Sequence, residues 1–268
     1  MQTVDDLAAC AEQIRQLVDS SFATRYADVA ATLESSSRAV ALVEEARGRL
    51  PNDLIVAAWT QYGNALRIVR RFEEAEKALE RACELPASDP QTRIRLLEVM
   101  SSLHRNMNKL DSAAELLAAA LEEIRSLGDS DAESRTYNLL GIVHLDRGDL
   151  ANALRAYQTA LDLLGAEAQL EVLAAEGHNL LEAVIADGRL SAAAAILVLL
   201  EPYQGHLASP RLAGKTECMR ARLYRKLQQP GAARVAYQRA YALMSAEPNA
   251  PELAELAAEM AGLAEAPK

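Results

Sequence analysis

The sequence predicts an all-α protein built from stacked antiparallel helix pairs, and three observations carry that prediction. Five alanines, Ala75, Ala113, Ala153, Ala193 and Ala233, recur at spacings of 38, 40, 40 and 40 residues. Self-similarity at a fixed period of this length marks repeat architectures in which each unit is one supersecondary motif. Half of the 268 residues are apolar while only 4% are aromatic. Alanine and leucine do most of the filling, which suits closely packed helices rather than a sheet. Prolines and glycines fall between the periodic stretches, where they end or start helices.

The first element expected is a helix over 5–19, with Leu7, Ala8, Ala11, Ile14 and Val18 on one face. Asp19-Ser20-Ser21 reads as a break, and a second helix is expected from about 27 to 48, ending at Pro51. This pair, 1–50, lacks the repeat columns and is expected to cap the stack, because a terminal unit must seal the core against water. Five pairs then span 54–246, at about 54–86, 91–127, 131–165, 169–204 and 209–246. A last helix within 250–265, with Leu253, Leu256, Ala257, Met260 and Leu263 inward, is expected to cap the other end of one continuous solenoid.

When each recurrent alanine is counted as the twentieth residue of its unit, other columns fall into line. Position 24 reads Leu79, Leu117, Tyr157, Leu197 and Tyr237, and position 27 reads Ala82, Ala120, Ala160, Leu200 and Ala240. Position 8 reads Gly63, Ser101, Gly141, Leu181 and Ala221, mostly small side chains that let two helix backbones approach closely. Position 17 reads Phe72, Leu110, Leu150, Leu190 and Pro230, opening the second helix of each pair. Turns within pairs are expected at Gly148-Asp149, Asp187-Gly188 and Gln229-Pro230-Gly231. Pro86, Pro90, Pro202, Pro210, Pro248 and Pro251 fit linkers and helix starts. The fifth unit departs from the pattern: Glu217 and Arg220 stand where apolar residues are expected, so either its register is shifted or it presents a polar surface.

With these columns the chain resembles the tetratricopeptide repeat family, whose pattern runs Trp-x2-Leu-Gly-x2-Tyr, then Ala, an aromatic, Ala and Pro. The first unit matches with Trp59, Tyr62, Gly63, Leu66, Ala75, Leu79 and Ala82, and the third with Tyr137, Leu140, Gly141, His144, Ala153, Tyr157 and Ala160. Its period is nearer 40 than the family's 34. The stretch Ser21 to Asp28, followed by Gly63-Asn64-Ala65-Leu66-Arg67, is similar to bacterial regulatory or adaptor members of the family. The resemblance implies a right-handed superhelix whose first helices line a concave surface, with Trp59 in the core.

Charge and motifs narrow the function classes. A net charge of −10 opposes direct nucleic-acid binding, which needs a basic face. No apolar run approaches the length of a membrane span. The N-terminus lacks the basic start and apolar core of a signal peptide, so a cytoplasmic setting is expected. Cys10, Cys83 and Cys218 lie far apart without metal or redox spacing and are expected to be reduced, mostly packed and inert. His104 and His144 share position 11, a packing site. The acidic stretches around Glu73-Glu74 and Glu122-Glu123 read as solvated faces, with Glu73 and Lys77 spaced for a surface ion pair. No phosphate loop, nucleophile elbow or metalloprotease motif occurs. No enzyme activity and no cofactor are expected.

By the resemblance, positions 2, 5, 9, 12 and 13 face the groove. They hold Thr60, Asn64 and Arg67 in the first unit, and Arg95, Glu98, Ser102, Arg105 and Asn106 in the second. The third unit places Arg135, Asn138 and Asp146 there, the fourth His178 and Glu182, and the fifth Lys215, Arg222, Arg225 and Lys226. An acidic protein thus gathers arginines on its expected inner wall, and guanidinium forks bind carboxylates bidentately. The expected partner is another protein or peptide, favoured when acidic. Chaperone-tail binding is disfavoured, because Thr60, Val99 and Leu139 stand where those family members carry lysine, asparagine and arginine, although Asn64 matches. Two rival readings remain: a sensory or regulatory segment of a larger signalling or transcription-regulating protein, and a structural homo-oligomer.

Overall fold

The computed structural model describes residues 4–24, 28–46, 48–163, 177–178, 181–182, 184–202, 209–246 and 252–264. Among them every regular element is a helix and no strand occurs. The chain divides into two compact units, Met1–Arg147 and Gly148–Lys268. The first unit holds α1 (Val4–Thr24), α2 (Val29–Glu45), α3 (Asn52–Ile68), α4 (Phe72–Cys83), α5 (Pro90–Asn106), α6 (Leu110–Leu127) and α7 (Ser130–Asp146). The second holds α8 (Leu150–Asp162), α9 (Leu190–Leu200), α10 (Pro210–Lys226), α11 (Pro230–Met244) and α12 (Glu252–Ala264), with residues 184–186 helical just before α9. Most of the expected first helix of the fourth pair lies outside the described residues, as does the Leu263 side chain.

Helix starts follow from local chemistry. Asp28, Asp89, Asp129, Asp149 and Ser209 each accept a hydrogen bond from the backbone N–H three residues on, satisfying a donor that the helix leaves open. Pro90, Pro210 and Pro230 sit in the first turn of their helices, where no backbone donor is missed. Inside each pair the chain reverses through a left-handed residue at position 15: Arg70, Asn108, Gly148, Gly188 and Gln228, with φ of 63°, 60°, 78°, 76° and 60°. In four of these turns the next residue's N–H reaches back five residues: Arg71 to Leu66, Lys109 to His104, Arg189 to Val184, and Gln229 to Tyr224. This closes the helix end in the Schellman manner. The last turn therefore centres on Gln228 rather than on Gln229-Pro230-Gly231, because Pro230 already belongs to α11.

The repeat columns are the core. All five recurrent alanines are completely buried, as are Ala82, Ala120, Ala160 and Ala240. Gly63 shows why position 8 is small: a Cβ there would lie 2.8 Å from the Leu79 side chain and 3.4 Å from the Ala75 carbonyl oxygen. Ser101, its counterpart in α5, uses the same close approach to donate a 2.9 Å hydrogen bond to the Ala113 carbonyl. In the first unit α3 pairs with α4 and α5 with α6, while the first helices lie side by side, α1 on α3, α3 on α5 and α5 on α7. In the second unit α10 pairs with α11, and Leu256 of α12 enters the cluster of Ala221, Ala233, Tyr237, Ala240 and Met244.

Several expectations are corrected. The break at Asp19-Ser20-Ser21 does not form: α1 runs through it, because Ser21 is fully buried and its hydroxyl donates to the Thr32 carbonyl on α2 at 3.1 Å. Trp59 is half-buried, bridging two hydrophobic clusters with its ring edge-on to Tyr62. Cys83 is exposed rather than packed, and Ala257 faces solvent. The ion pair on the acidic turn of α4 is Arg71–Glu74, at 2.6 Å, rather than Glu73–Lys77. The fifth unit keeps its register, since Ala233 and Tyr237 are fully buried. Glu217 and Arg220 do not form a polar surface; they are largely buried and paired at 3.1 Å.

Candidate functional site

The first helices bring the expected groove residues into two different settings. Position 5 carries Thr60, Glu98, Asn138, His178 and Cys218, and all five are buried. The expectation that Thr60, Glu98, Asn138 and His178 line an open groove is corrected, as is that for Asn64, which is 7% exposed. For two of them the reason is geometric: Glu98 meets the neighbouring first helix α7 in the first unit, and His178 meets α10 in the second, instead of solvent.

Twice a position 5 side chain meets a threonine at position 3 of the next unit. Thr136 on α7 donates to Glu98 on α5 at 3.0 Å, and His178 Nε2 lies 2.7 Å from the Thr216 hydroxyl on α10. Both pairs are separated by 38 residues. The corresponding position 3 of the second unit is Leu96, and the buried Thr60 hydroxyl has no hydrogen-bond partner. Burial raises the Glu98 carboxyl above its ordinary value, a shift opposed by the charges of Arg135 and Arg95. Burial lowers His178 to about 4, so the imidazole is neutral near pH 7. This polar clasp went unseen in the sequence. Its signal was a polar residue at position 5 followed, two residues short of the next period, by threonine.

The arginines divide by how much of them is already engaged. Arg95 on α5 stacks over the Phe22 ring of α1 at 4.1 Å and lies 3.9 Å from Glu98. Arg67 donates twice to Asn64, at 2.8 and 3.1 Å. Arg105 is 3.8 Å from Asp146 on α7, and about a third of its side chain remains exposed. Arg135 on α7 is exposed. In the first unit, then, α3 and α5 present the part-buried Arg67 and Arg105 in their last turns, and α7 presents the exposed Arg135 near its start.

In the second unit Arg222 on α10 is gripped by Glu182 at 2.9 Å and by Glu255 and Glu259 of α12 at 2.8 and 2.7 Å. Burial works against the Arg222 charge, but these carboxylates outweigh it and push its pKa up. Tyr237 donates to Glu259, whose carboxyl is held below its usual range despite burial. A cleft of about 150 Å³ adjoins this cluster, lined by His178, Lys215 and Cys218 among others. Burial pushes the Cys218 thiol up to about 11, which keeps it protonated. Arg225 is exposed nearby. Glu255 and Glu259 were missed at the sequence level, although their four-residue spacing on α12 placed them on one face.

No helix among the described residues is long and apolar enough to cross a membrane. Chemically, the first helices carry arginines interspersed with carboxylates, Asp146 beside Arg105 in the first unit and Glu182 beside Arg222 in the second, a mixed polar surface suited to binding a polypeptide.

Comparisons with known proteins agree with this architecture. Two family models described as tetratricopeptide repeat match residues 92–166 and 56–99. No curated protein matches the sequence. Among solved structures, NprR in complex with its cognate peptide NprX is similar at 13% identity, covering 95% of this chain and 72% of that chain, with a TM-score of 0.50. The Cut9–Hcn1 hetero-tetramer of the APC/C is similar at 18% identity, covering 97% of this chain and 48% of that chain, also with a TM-score of 0.50. BtubC from P. vanneervenii aligns at 20% identity over 90% of this chain and 94% of its own, with a TM-score of 0.49. At such identities the likeness is one of fold, and the matching families are repeat families rather than enzyme families. With its buried alanine column, its position 8 contacts and these matches, the chain carries tetratricopeptide repeats over residues 56–166.

Proposed function

We propose that the protein is a non-enzymatic adaptor or regulatory subunit that holds a peptide or helix of a partner protein against its first-helix face. The reading keeps the division into an N-terminal capping pair, five repeat pairs and a C-terminal capping helix. The observation that carries it is the adjacency of α3, α5 and α7, which brings Arg67, Arg105 and Arg135 onto neighbouring helices. Arg67, Arg105 and Arg135 favour a guest with carboxylates, because a guanidinium offers them a paired donor fork. Arg95 and Arg222 contribute less to capture, since Phe22 and the glutamates around Arg222 already occupy them. NprR, similar in fold, is described with a cognate peptide, which supports a peptide guest. Three unpaired cysteines support a reducing, cytoplasmic setting.

The test is affinity capture followed by mass spectrometry, comparing the native chain with Arg105→Ala/Arg135→Ala. The double variant should recover about tenfold less of the captured partner, and native capture should weaken as salt rises. Equal recovery by both proteins would overturn the reading.

A further inference from the structure

Within the second unit, α12 sits on its neighbours in the manner of a bound helix. Leu253, Leu256 and Met260, at i, i+3 and i+7, pack on the apolar cluster that includes Ala221 of α10 and Tyr237 and Met244 of α11. Beside this stripe Glu255 and Glu259, one turn apart, reach Arg222 of α10 at 2.8 and 2.7 Å, and Tyr237 donates to Glu259. Apolar anchors at that spacing are how an amphipathic helix docks in a groove. The grip is narrow. Leu256 is the one buried side chain among the described residues of α12, while Ala254, Ala257, Ala258 and Ala261 face solvent. Nor is the space around it filled: a cleft of about 150 Å³ is lined by Glu255 and Leu256 on the α12 side and by Cys218, Met219 and Met244 on the other. Methionine side chains repack around guests of different shape.

We infer that α12 is a displaceable occupant, and that the bed formed by α10 and α11 docks an acidic amphipathic helix of a partner protein in its place. The guest carries apolar residues at i, i+3 and i+7 and carboxylates at i+2 and i+6, the pattern of α12 itself. Arg222 is the selecting group. With α12 gone it keeps the exposed Glu182, and the guest's carboxylates replace the two that left, whereas a basic helix would meet like charge. This docking rests on the first helices forming a binding face, as proposed above, but it engages none of Arg67, Arg105 and Arg135.

The probe is a fluorescent peptide with the sequence of residues 252–264, read by anisotropy against the full chain. In the native chain the tethered α12 competes at an effective concentration on the order of millimolar, so the peptide should bind weakly. Leu256→Ala/Glu259→Gln in the chain loosens its own helix and leaves Arg222 and the bed unchanged; the peptide should then bind at least about tenfold more tightly and slow the alkylation of Cys218. Adding Arg222→Ala to that chain should weaken binding at least about tenfold, and so should Glu255→Gln/Glu259→Gln in the peptide. Equal affinity for native and loosened chains overturns the inference, as does binding that ignores both charge changes or leaves the Cys218 rate untouched. A second measurement needs no variant: peptide at about 1 mM should speed hydrogen exchange of α12 in the native chain. Unchanged exchange would make α12 a permanent cap and overturn the inference. If α12 of a second copy were the guest, the native chain would dimerise as its concentration rises and the peptide would dissociate the dimers, which would replace the partner helix by exchange between copies. Failure of the peptide to bind leaves capture through Arg105 and Arg135 standing, because that experiment reads different residues.

Discussion

Single residues in this protein carry either a backbone demand or a contact demand, and the two separate cleanly among the glycines. Gly148 and Gly188 take φ of 78° and 76°, and nothing lies within 4 Å of an added Cβ. Replacing either by alanine should cost about 1 kcal/mol through backbone strain alone. At Gly63 the backbone is helical and the added methyl meets Leu79 at 2.8 Å, so Gly63→Ala should cost about 2 kcal/mol through overpacking. Denaturant unfolding of the three variants checks the order; a Gly63→Ala protein as stable as Gly148→Ala would show that the helices part easily.

Glu98 makes a second prediction at this scale. Its carboxyl, raised by burial, holds a proton in the folded state to higher pH than in the unfolded chain. The folded state therefore binds more protons in the window starting at the ordinary value of 4.5 and running upward, and stability falls as pH rises through it. Glu98→Gln keeps the acceptor for Thr136 and removes the titration, so its unfolding free energy should lose that downward slope, which is at most about 1.4 kcal/mol per pH unit. An unchanged slope would mean that the carboxylate is solvated.

At the scale of elements, the helix pairs were legible because their small residues recur. Ala75, Ala113 and Ala153 were visible as a period, and the period fixed which face of each second helix is buried. The cap helices were less legible. Ser21 looked like a helix breaker, yet a hydroxyl that reaches a carbonyl on the neighbouring helix is as well satisfied as one in a turn, and sequence alone does not show that neighbour. The Arg222 cluster was invisible for the same reason, since it joins α10, α12 and Glu182 across distant sequence. Removing Arg222, 17% exposed, leaves Glu259, 16% exposed, with the Tyr237 hydroxyl but without its cationic partner. Arg222→Ala should cost about 2 kcal/mol, most of it from Glu259 because Glu182 and Glu255 are well solvated. Hydrogen exchange should show α12 opening first, and uniform loss of protection over the whole chain would contradict this.

For the molecule as a whole, an acidic chain with a net charge of −10 engages several of its arginines in contacts between helices, as Arg95, Arg105 and Arg222 show. The five buried position 5 residues show what the family pattern conveys and what it does not. It named the face on which those residues start, but the spacing between neighbouring first helices decides whether a side chain there reaches solvent or a threonine on the next helix. What survives at the surface is a smaller set of arginines than the sequence suggested, and the adaptor reading rests on that set.

The most direct measurement places a photo-crosslinking amino acid at Arg135 on α7 and, in a separate protein, at Glu122 on the exposed side of α6. The adaptor account predicts that irradiation in lysate joins a partner protein to position 135 and not to position 122. Crosslinks of equal yield at both positions, or at 122 alone, would contradict it.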